Sequence, residues 1–203
     1  MNYGELKAQV RSYMHRIDLD AEIPGFIELA RQRINRDLRA REMILQVDVT
    51  PTVNPFPLQD DFLEMRDIYH STGSRRVTLA LVGRKQLNDQ KGTELSQPSP
   101  QFYSIDGLAI ETSPDGIGVD FTELYYARQP ELVNDSDTNP TLDAYPTIWL
   151  YGALIEGHSF VQDVDLQDKA TGIYTAEVTQ ANTRSAEAES GVALQVQGAS
   201  QWL

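Results

Sequence analysis

The chain has 203 residues, 40% of them hydrophobic, and a formal net charge of −13. That is enough apolar material to bury the core of one domain or of two small ones. Because the chain contains no cysteine, disulfide bonds and thiolate metal sites are excluded. No signal-peptide pattern precedes the first amphipathic repeat, so we expect synthesis in a reducing cytoplasm.

The negative charge is concentrated in the second half of the chain. Residues 93–203 carry 17 acidic residues and three basic ones, Arg128, Lys169 and Arg184. A surface that grips duplex DNA needs clustered cations, so we expect no appreciable duplex binding by this half. Solubility alone would explain such a surface, and repulsion of DNA phosphates is the functional alternative.

Two amphipathic helices are predicted near the N-terminus. In residues 3–17, apolar side chains recur at steps of three and four, namely at Tyr3, Leu6, Val10, Tyr13, Met14 and Ile17. Pro24 opens a second helix, whose polar faces carry a run of arginines. We interpret this run either as a solvated, partly ion-paired face or as a subunit contact through Arg31, Arg36 and Arg39; DNA binding is a third alternative.

From residue 43 the apolar period changes from 3.6 to 2, which indicates strands. The predicted elements are a strand at 43–50, a proline-rich segment at 51–57, a turn at 58–65, strands at 66–69 and 75–81, a short helix at 83–89, a hairpin around Asp106-Gly107 and a strand at 119–128. Residues 43–130 are therefore predicted to form a small β-rich unit inserted between helices.

Residues 145–163 are predicted to form the central helix of a bundle. Pro146 suits the first helical turn, and the following residues, including Trp149, are apolar on every side, which indicates burial on several sides. The segment is too short to span a membrane. Gly152 and Gly157 suggest that another backbone passes close by, and Trp149 is also a candidate subunit contact.

The predicted fold class is α+β, with a helical bundle built from residues 1–42 and 141–190 and an acidic linker at 131–140. A last helix runs to about residue 188. Residues 191–203 show no helical stripe, so they are predicted to form an extended C-terminal arm that docks on another chain; the alternative is a frayed terminus. Its candidate contact residues are Val192, Leu194, Val196, Trp202 and Leu203.

Catalytic signals are missing from the sequence. His15 and His158 fall on predicted helices, where a surface position is expected, and His70 has no partner at metal-ligand spacing. No nucleophile elbow, phosphate-binding loop or zinc-protease motif occurs. Asp60-Asp61 is better explained as a turn or helix cap than as half of a carboxylate pair. We therefore expect no enzymatic activity, no cofactor and no metal.

Several stretches, taken in order, resemble a known family. They are EIPGFIELARQRINRDLR at 22–39, FPLQDDFLEMRDIY at 56–69, QFYSIDGLAIETSPDG at 101–116, ELYYARQPEL at 123–132, SDTNP at 136–140 and YPTIWLYGALIEG at 145–157. Over roughly residues 1–185 the sequence resembles the head-to-tail adaptor (connector) family of short-tailed bacteriophages, similar in role to the phage tail tubular protein A. Asn139 is followed by Pro140 where that family usually has Asn-Trp.

The resemblance implies a structural virion protein at the head–tail interface, assembled in the host cytoplasm without a membrane. Copies are expected to form a ring of twelve subunits beneath the phage portal protein and above a tail nozzle or tail tube protein. Genome DNA would pass through the ring without specific binding. The alternatives are a soluble tail-completion module or chaperone and a virion-borne cell-wall hydrolase.

Overall fold

The computed structural model describes residues 1–91 and 99–190. The chain divides into two compact units. Unit 1 consists of Met1–Glu42 and Gln129–Leu203, and unit 2 consists of Met43–Arg128. Within the described residues, unit 1 is helical and unit 2 carries the sheets, which confirms the predicted α+β fold. The arm predicted at 191–203 lies outside the described residues.

The secondary-structure elements follow one another along the chain. In order they are α1 (Tyr3–Met14), α2 (Ile23–Asp37), β1 (Ile44–Val49), β2 (Phe56–Pro57), β3 (Phe62–Thr72), β4 (Arg75–Thr78), β5 (Ala80–Leu81), α3 (Arg84–Lys91), β6 (Phe102–Asp106), β7 (Ala109–Ser113), β8 (Phe121–Ala127), α4 (Pro140–Ala144), α5 (Pro146–Phe160) and α6 (Val164–Ser190).

Helix α5 is the centre of unit 1, as predicted, because it contacts α1, α2, α4 and α6. A Cβ added at Gly152 would lie 3.1 Å from the Cβ of Ala30, so the predicted close approach of another helix occurs there. At Gly157 the close neighbour is different. A Cβ would lie 2.6 Å from the Sδ of Met14, which is a side chain and not the backbone that the sequence suggested.

Helix α1 is shorter than predicted. It begins with a capping box formed by Asn2 and Glu5 and ends at Met14, because His15 adopts the left-handed conformation with φ 51°. Tyr13 and Ile17 were expected on the buried stripe, but both are more than half exposed. Ile17 lies beyond the end of the helix and has therefore left the helical repeat.

The segment at 131–140, expected to act as a linker, is held against the first turn of α1. The backbone N–H groups of Tyr3 and Gly4 donate to the carbonyls of Asp137 (2.8 Å) and Asp135 (2.9 Å). Lys7 also forms an ion pair with Asp135 at 2.5 Å. Two N–H groups that a helix start leaves unpaired are thereby satisfied by this segment.

The described residues of unit 2 form two four-stranded sheets, with strand orders β1-β8-β3-β4 and β2-β7-β6-β5. The pairs are antiparallel except β5 with β6. Side chains from both sheets and Leu79, which lies between β4 and β5, form one core cluster; its sheet members are Phe56, Ile68, Tyr103, Ile110 and Phe121. Helix α3 packs on β6 and β7 through the buried Leu87.

Two details of unit 2 correct the prediction. Residues 58–65 were predicted to be a turn, but β3 already begins at Phe62. Its pairing with β8 shifts register twice before Asp67, and such bulges interrupt the alternation that marks a strand. In the hairpin, Asp106 pairs with Ala109, so the two-residue loop is Gly107-Leu108 and not Asp106-Gly107. Gly107 supplies the positive φ of 62° that this turn requires.

Candidate interaction surfaces

Trp149, predicted as a possible subunit contact, lies in the interior of unit 1 with 0% of its surface exposed. Its Nε1–H donates to the Oγ1 of Thr141 at 3.2 Å. The Thr141 hydroxyl lies 2.6 Å from the Oε1 of Gln129 and 2.8 Å from the Oδ1 of Asn139. Trp149 therefore belongs to a buried polar network, and in this structure it offers no atoms to a partner.

The same network contains the start of a helix that was not predicted from the sequence. The Oδ1 of Asn139 accepts the backbone N–H of Leu142, and Pro140 occupies the first turn of α4. Asparagine at the N-cap followed by proline is a common signal for a helix start. The motif Asn139-Pro140 could thus have predicted α4 from the sequence.

Arg31 is bound within unit 1. Its Nε and Nη2 donate to the two carboxylate oxygens of Glu28 at 2.7 and 2.6 Å, and its Nη1 donates to the carbonyl of Gln129 at 2.9 Å. The paired guanidinium holds the pKa of Glu28 below its usual range. This bidentate geometry fixes the side chain more firmly than a single contact would.

The other predicted contact arginines are also engaged inside unit 1. Arg36 pairs with Asp37 at 2.8 Å. The Nη1 of Arg39 lies 3.0 Å from the carbonyl of Asn35 and 2.7 Å from that of Leu38, where it satisfies groups at the end of α2. The arginine run is consequently neutralised to a large extent by its own unit. The candidate contact residues of the predicted C-terminal arm lie outside the described residues; they are Val192, Leu194, Val196, Trp202 and Leu203.

The histidines occupy structural positions. His158 was expected on a helix surface, but it is only 8% exposed, and burial lowers the pKa of its imidazole. The Nε2 of the buried His70 lies 3.0 Å from the carbonyl of Pro100. Within residues 1–91 and 99–190, no three histidine, aspartate or glutamate side chains converge as metal ligands.

The pair Asp60-Asp61 lies in the turn before β3. The hydroxyl of Tyr125 donates to the Oδ1 of Asp61 at 2.8 Å, and the backbone N–H of Arg128 donates to the carbonyl of Asp61 at 2.7 Å. These bonds join the turn to the end of β8. They give Asp61 a structural role within unit 2.

One end of unit 1 exposes large apolar side chains. It lies where α1 ends and where α5 turns into α6, and we call it the apolar end; its members are Tyr13, Ile17, Phe160 and Val164, each more than half exposed. The ring of Tyr13 meets that of Tyr151 at 6.3 Å. The side chain of Met14 lies against Gly157, so the end of α1 lies beside the end of α5, and exposed apolar groups near one another are typical of protein-interaction sites.

Helix α6 presents an uncharged face to solvent. The helix has 27 residues and is therefore about 40 Å long. The hydroxyls of Thr171, Thr179 and Thr183 each donate at 2.8 Å to the carbonyl four residues earlier, so these hydroxyls are already satisfied. The exposed Gly172 and Ala176 lie between them. A smooth surface of this kind suits contact with protein better than contact with a charged ligand.

Comparison with known proteins gives one family. A family model described as SU10 adaptor protein matches residues 1–197, a range that includes all of unit 2 and the helices of unit 1. No curated protein matches the chain. In the part of the chain that the structure describes, no helix combines the length and apolarity needed to cross a membrane.

Proposed function

The chain belongs to the SU10 adaptor family of bacteriophage structural proteins, and from that membership we propose that its copies form a ring beneath the portal, join the head to the tail and leave a channel for DNA. The membership confirms the resemblance to phage adaptors that the sequence indicated. The match over residues 1–197 carries the proposal, and the resemblance suggests twelve subunits. The portal protein above and a tail nozzle or tail tube protein below are the proposed partners.

The surfaces of unit 1 support assembly with other protein chains. A ring requires head-to-tail contacts, in which two different patches of each subunit meet. The apolar end and the uncharged face of α6 are separate surfaces of unit 1, and both suit contact with protein. We propose that they are buried when the subunit assembles from the host cytoplasm into the virion.

The charge distribution suits a channel through which DNA slides. Residues 93–203 carry 17 acidic and three basic residues, and acidic walls repel phosphates instead of binding them. We propose that carboxylates of this half line the channel. Charge reversal of these side chains would then slow DNA exit more than it alters the stability of the subunit.

Residues 191–203 are proposed to act as a docking arm. Alternating Val192, Leu194 and Val196 would suit strand addition to an exposed sheet edge, and Trp202 would suit an aromatic anchor. The portal or the neighbouring subunit would receive the arm. Deletion of 191–203 should leave the melting temperature unchanged and abolish docking to the particle; unchanged occupancy of the truncated chain would contradict this role.

The proposed function can be tested by mixing the purified protein with purified portal and counting bound rings by electron microscopy. The variant Ile17→Asp/Val164→Asp should retain the fold and lose ring formation, because it places two charges on the apolar end. Leu81→Asp/Leu108→Asp is the matched control, since it adds the same two charges at positions of unit 2 that are at least as exposed. Failure of the unaltered protein to form rings on the portal would refute the proposal.

A further inference from the structure

Arg184 differs from most cations of unit 1. Seven other cations of the unit each form an ion pair within it, namely Lys7, Arg11, Arg16, Arg31, Arg33, Arg36 and Arg41. Arg184, by contrast, forms no hydrogen bond or ion pair with any residue of the described ranges. It is also one of only three basic residues in 93–203. An unpaired guanidinium in so acidic a chain is therefore a candidate binding group.

Arg184 lines a pocket of about 400 Å³ in unit 1. The pocket is formed by Arg41, Glu42, Ala144, Tyr145, Arg184 and Ser185. These residues come from three places along the chain, namely the segment that follows α2, the junction of α4 with α5, and α6. We call it the donor pocket, because its polar groups that remain unpaired are hydrogen-bond donors.

Internal bonds in the donor pocket occupy the carboxylate of Glu42. One oxygen of Glu42 accepts from the Nε of Arg41 at 2.9 Å, and the other accepts from the hydroxyl of Tyr145 at 3.0 Å. Arg41 thus keeps its terminal nitrogens, and Arg184 keeps its whole guanidinium. Both are available to an incoming acceptor.

Ser185 supplies a third group. Its side chain is 4% exposed, and its hydroxyl has no hydrogen-bond partner among the residues that the structure describes. A buried hydroxyl without a partner is unfavourable, and a ligand that accepts its hydrogen bond would remove that cost. Two guanidiniums and one hydroxyl select an anion, and a carboxylate can accept two parallel hydrogen bonds from one arginine.

We propose that the donor pocket binds the carboxylates of Asp165 and Asp168 from a second copy of this chain. Both residues are exposed on the first turns of α6, and neither is hydrogen-bonded or ion-paired within the described chain. They lie beside the exposed Val164 and Leu166, so an apolar rim would surround the charged contact. This assignment rests on the proposed ring and names the contact that closes it.

The two halves of this contact lie far apart on one subunit. Arg184 follows Asp168 by sixteen positions on α6, which places them about 24 Å apart along the helix. A patch that binds a different, distant patch on the next copy is a heterologous contact. Such contacts repeat from subunit to subunit and produce rings or filaments, whereas a two-fold dimer uses one patch twice.

A protein carboxylate fits this pocket better than a DNA phosphate. Duplex binding depends on several clustered cations that follow the phosphate backbone. Here two exposed guanidiniums flank the pocket beside Glu42, on a chain with net charge −13, so the surrounding field repels a polyanion. The acidic first turn of α6 from a neighbouring subunit brings only a few negative charges to the pocket, so it meets less repulsion than a DNA duplex would.

The absence of cysteine permits a direct test by cross-linking. The full-length double variant Gly172→Cys/Ala188→Cys keeps Asp165, Asp168 and Arg184 and places a thiol one turn after each half of the contact, at exposed positions; it is treated with a short bismaleimide. Because the two thiols are about 24 Å apart within one subunit, a short reagent can join them only between subunits. We expect a ladder of covalent oligomers, while the control Lys85→Cys/Ala188→Cys, with its partner site on α3, remains monomeric.

A charge swap provides the second measurement. Arg184→Glu alone, and Asp165→Lys/Asp168→Lys alone, should each weaken ring assembly by roughly tenfold or more. The combined variant should recover assembly, and Lys85→Glu, which changes the charge equally, should behave as the unaltered protein. Thermal unfolding of each variant shows whether the subunit remains folded.

The outcomes separate this inference from the proposed function. No ladder, or no recovery in the combined variant, would overturn the inference even if electron microscopy shows rings on the portal. A ladder without rings on the portal would support the contact and refute the proposed function. Binding of a random DNA duplex that is lost in Arg184→Glu would assign the pocket to DNA and overturn the inference as well.

Discussion

Replacement of Trp149 by alanine should be among the most destabilising single changes in unit 1. The indole is completely buried between α4, α5 and their neighbours, and loss of a buried tryptophan costs about 3–5 kcal/mol of unfolding free energy. Domains commonly have only about 5–15 kcal/mol in total. We therefore expect a large fall in the denaturant midpoint.

The variant Trp149→Phe separates packing from hydrogen bonding. Phenylalanine keeps much of the apolar volume but removes the Nε1–H that donates to Thr141. The Thr141 hydroxyl can still donate to Gln129 or Asn139, so the loss should be smaller, about 1–2 kcal/mol. Leu29→Ala is a suitable control, because Leu29 is exposed on α2 and surface changes usually stay within about 0.5 kcal/mol.

Urea unfolding monitored by circular dichroism measures the stability of each variant. Ring assembly on the portal is measured in parallel. The expected order of destabilisation is Trp149→Ala, then Trp149→Phe, then Leu29→Ala. If Trp149→Ala lost less than about 1 kcal/mol while ring assembly failed, the side chain would act at a subunit contact. That result would refute its place in the core.

Three further predictions concern both units. Burial raises the pKa of Glu123, whose Oε1 has no partner among the described residues. The stabilising contribution of the protonated carboxyl is complete below the ordinary pKa of 4.5 and is lost as pH rises through the raised pKa. Glu123→Gln should therefore stabilise unit 2 at pH 7 by about 1–3 kcal/mol and show no gain in acid. Gly172→Ala should stabilise α6 by about 0.5–1 kcal/mol, because nothing lies near its Cβ, whereas Gly152→Ala should destabilise against Ala30; equal melting temperatures would contradict the close packing. Fluorescence anisotropy should show no duplex binding at physiological salt, and sub-micromolar, salt-sensitive binding would contradict the acidic-channel argument.

Local patterns predicted much of this fold because they act over a few residues. The all-round apolar character of α5 and the proline before Trp149 located the centre of the bundle correctly. The register shifts in β3 were missed, since a bulge moves residues between faces and removes the period-2 signal. The end of α1 was missed because His15 terminates the helix by its backbone conformation, without a glycine to mark the position.

The donor pocket could not be predicted from sequence patterns. In the sequence, Arg41 precedes Tyr145 and Ser185 by more than a hundred residues. Only the packing of both chain ends brings the three together. The arginine run was interpreted either as a partly ion-paired face or as a subunit contact. Arg31 pairs with Glu28 three residues earlier on the same helix, which agrees with the ion-paired face, because residues at this spacing are neighbours on a helix surface.

The proposal that this chain is a ring-forming head-to-tail adaptor is tested most directly by electron microscopy of the native phage particle. We expect a closed ring of this protein, with twelve copies and an open axial channel, between the portal and the tail nozzle. Within that ring, the first turn of α6 in each subunit should approach Arg184 of the next. Single copies elsewhere on the particle, or a portal that contacts the tail directly without this ring, would refute the ring-forming adaptor.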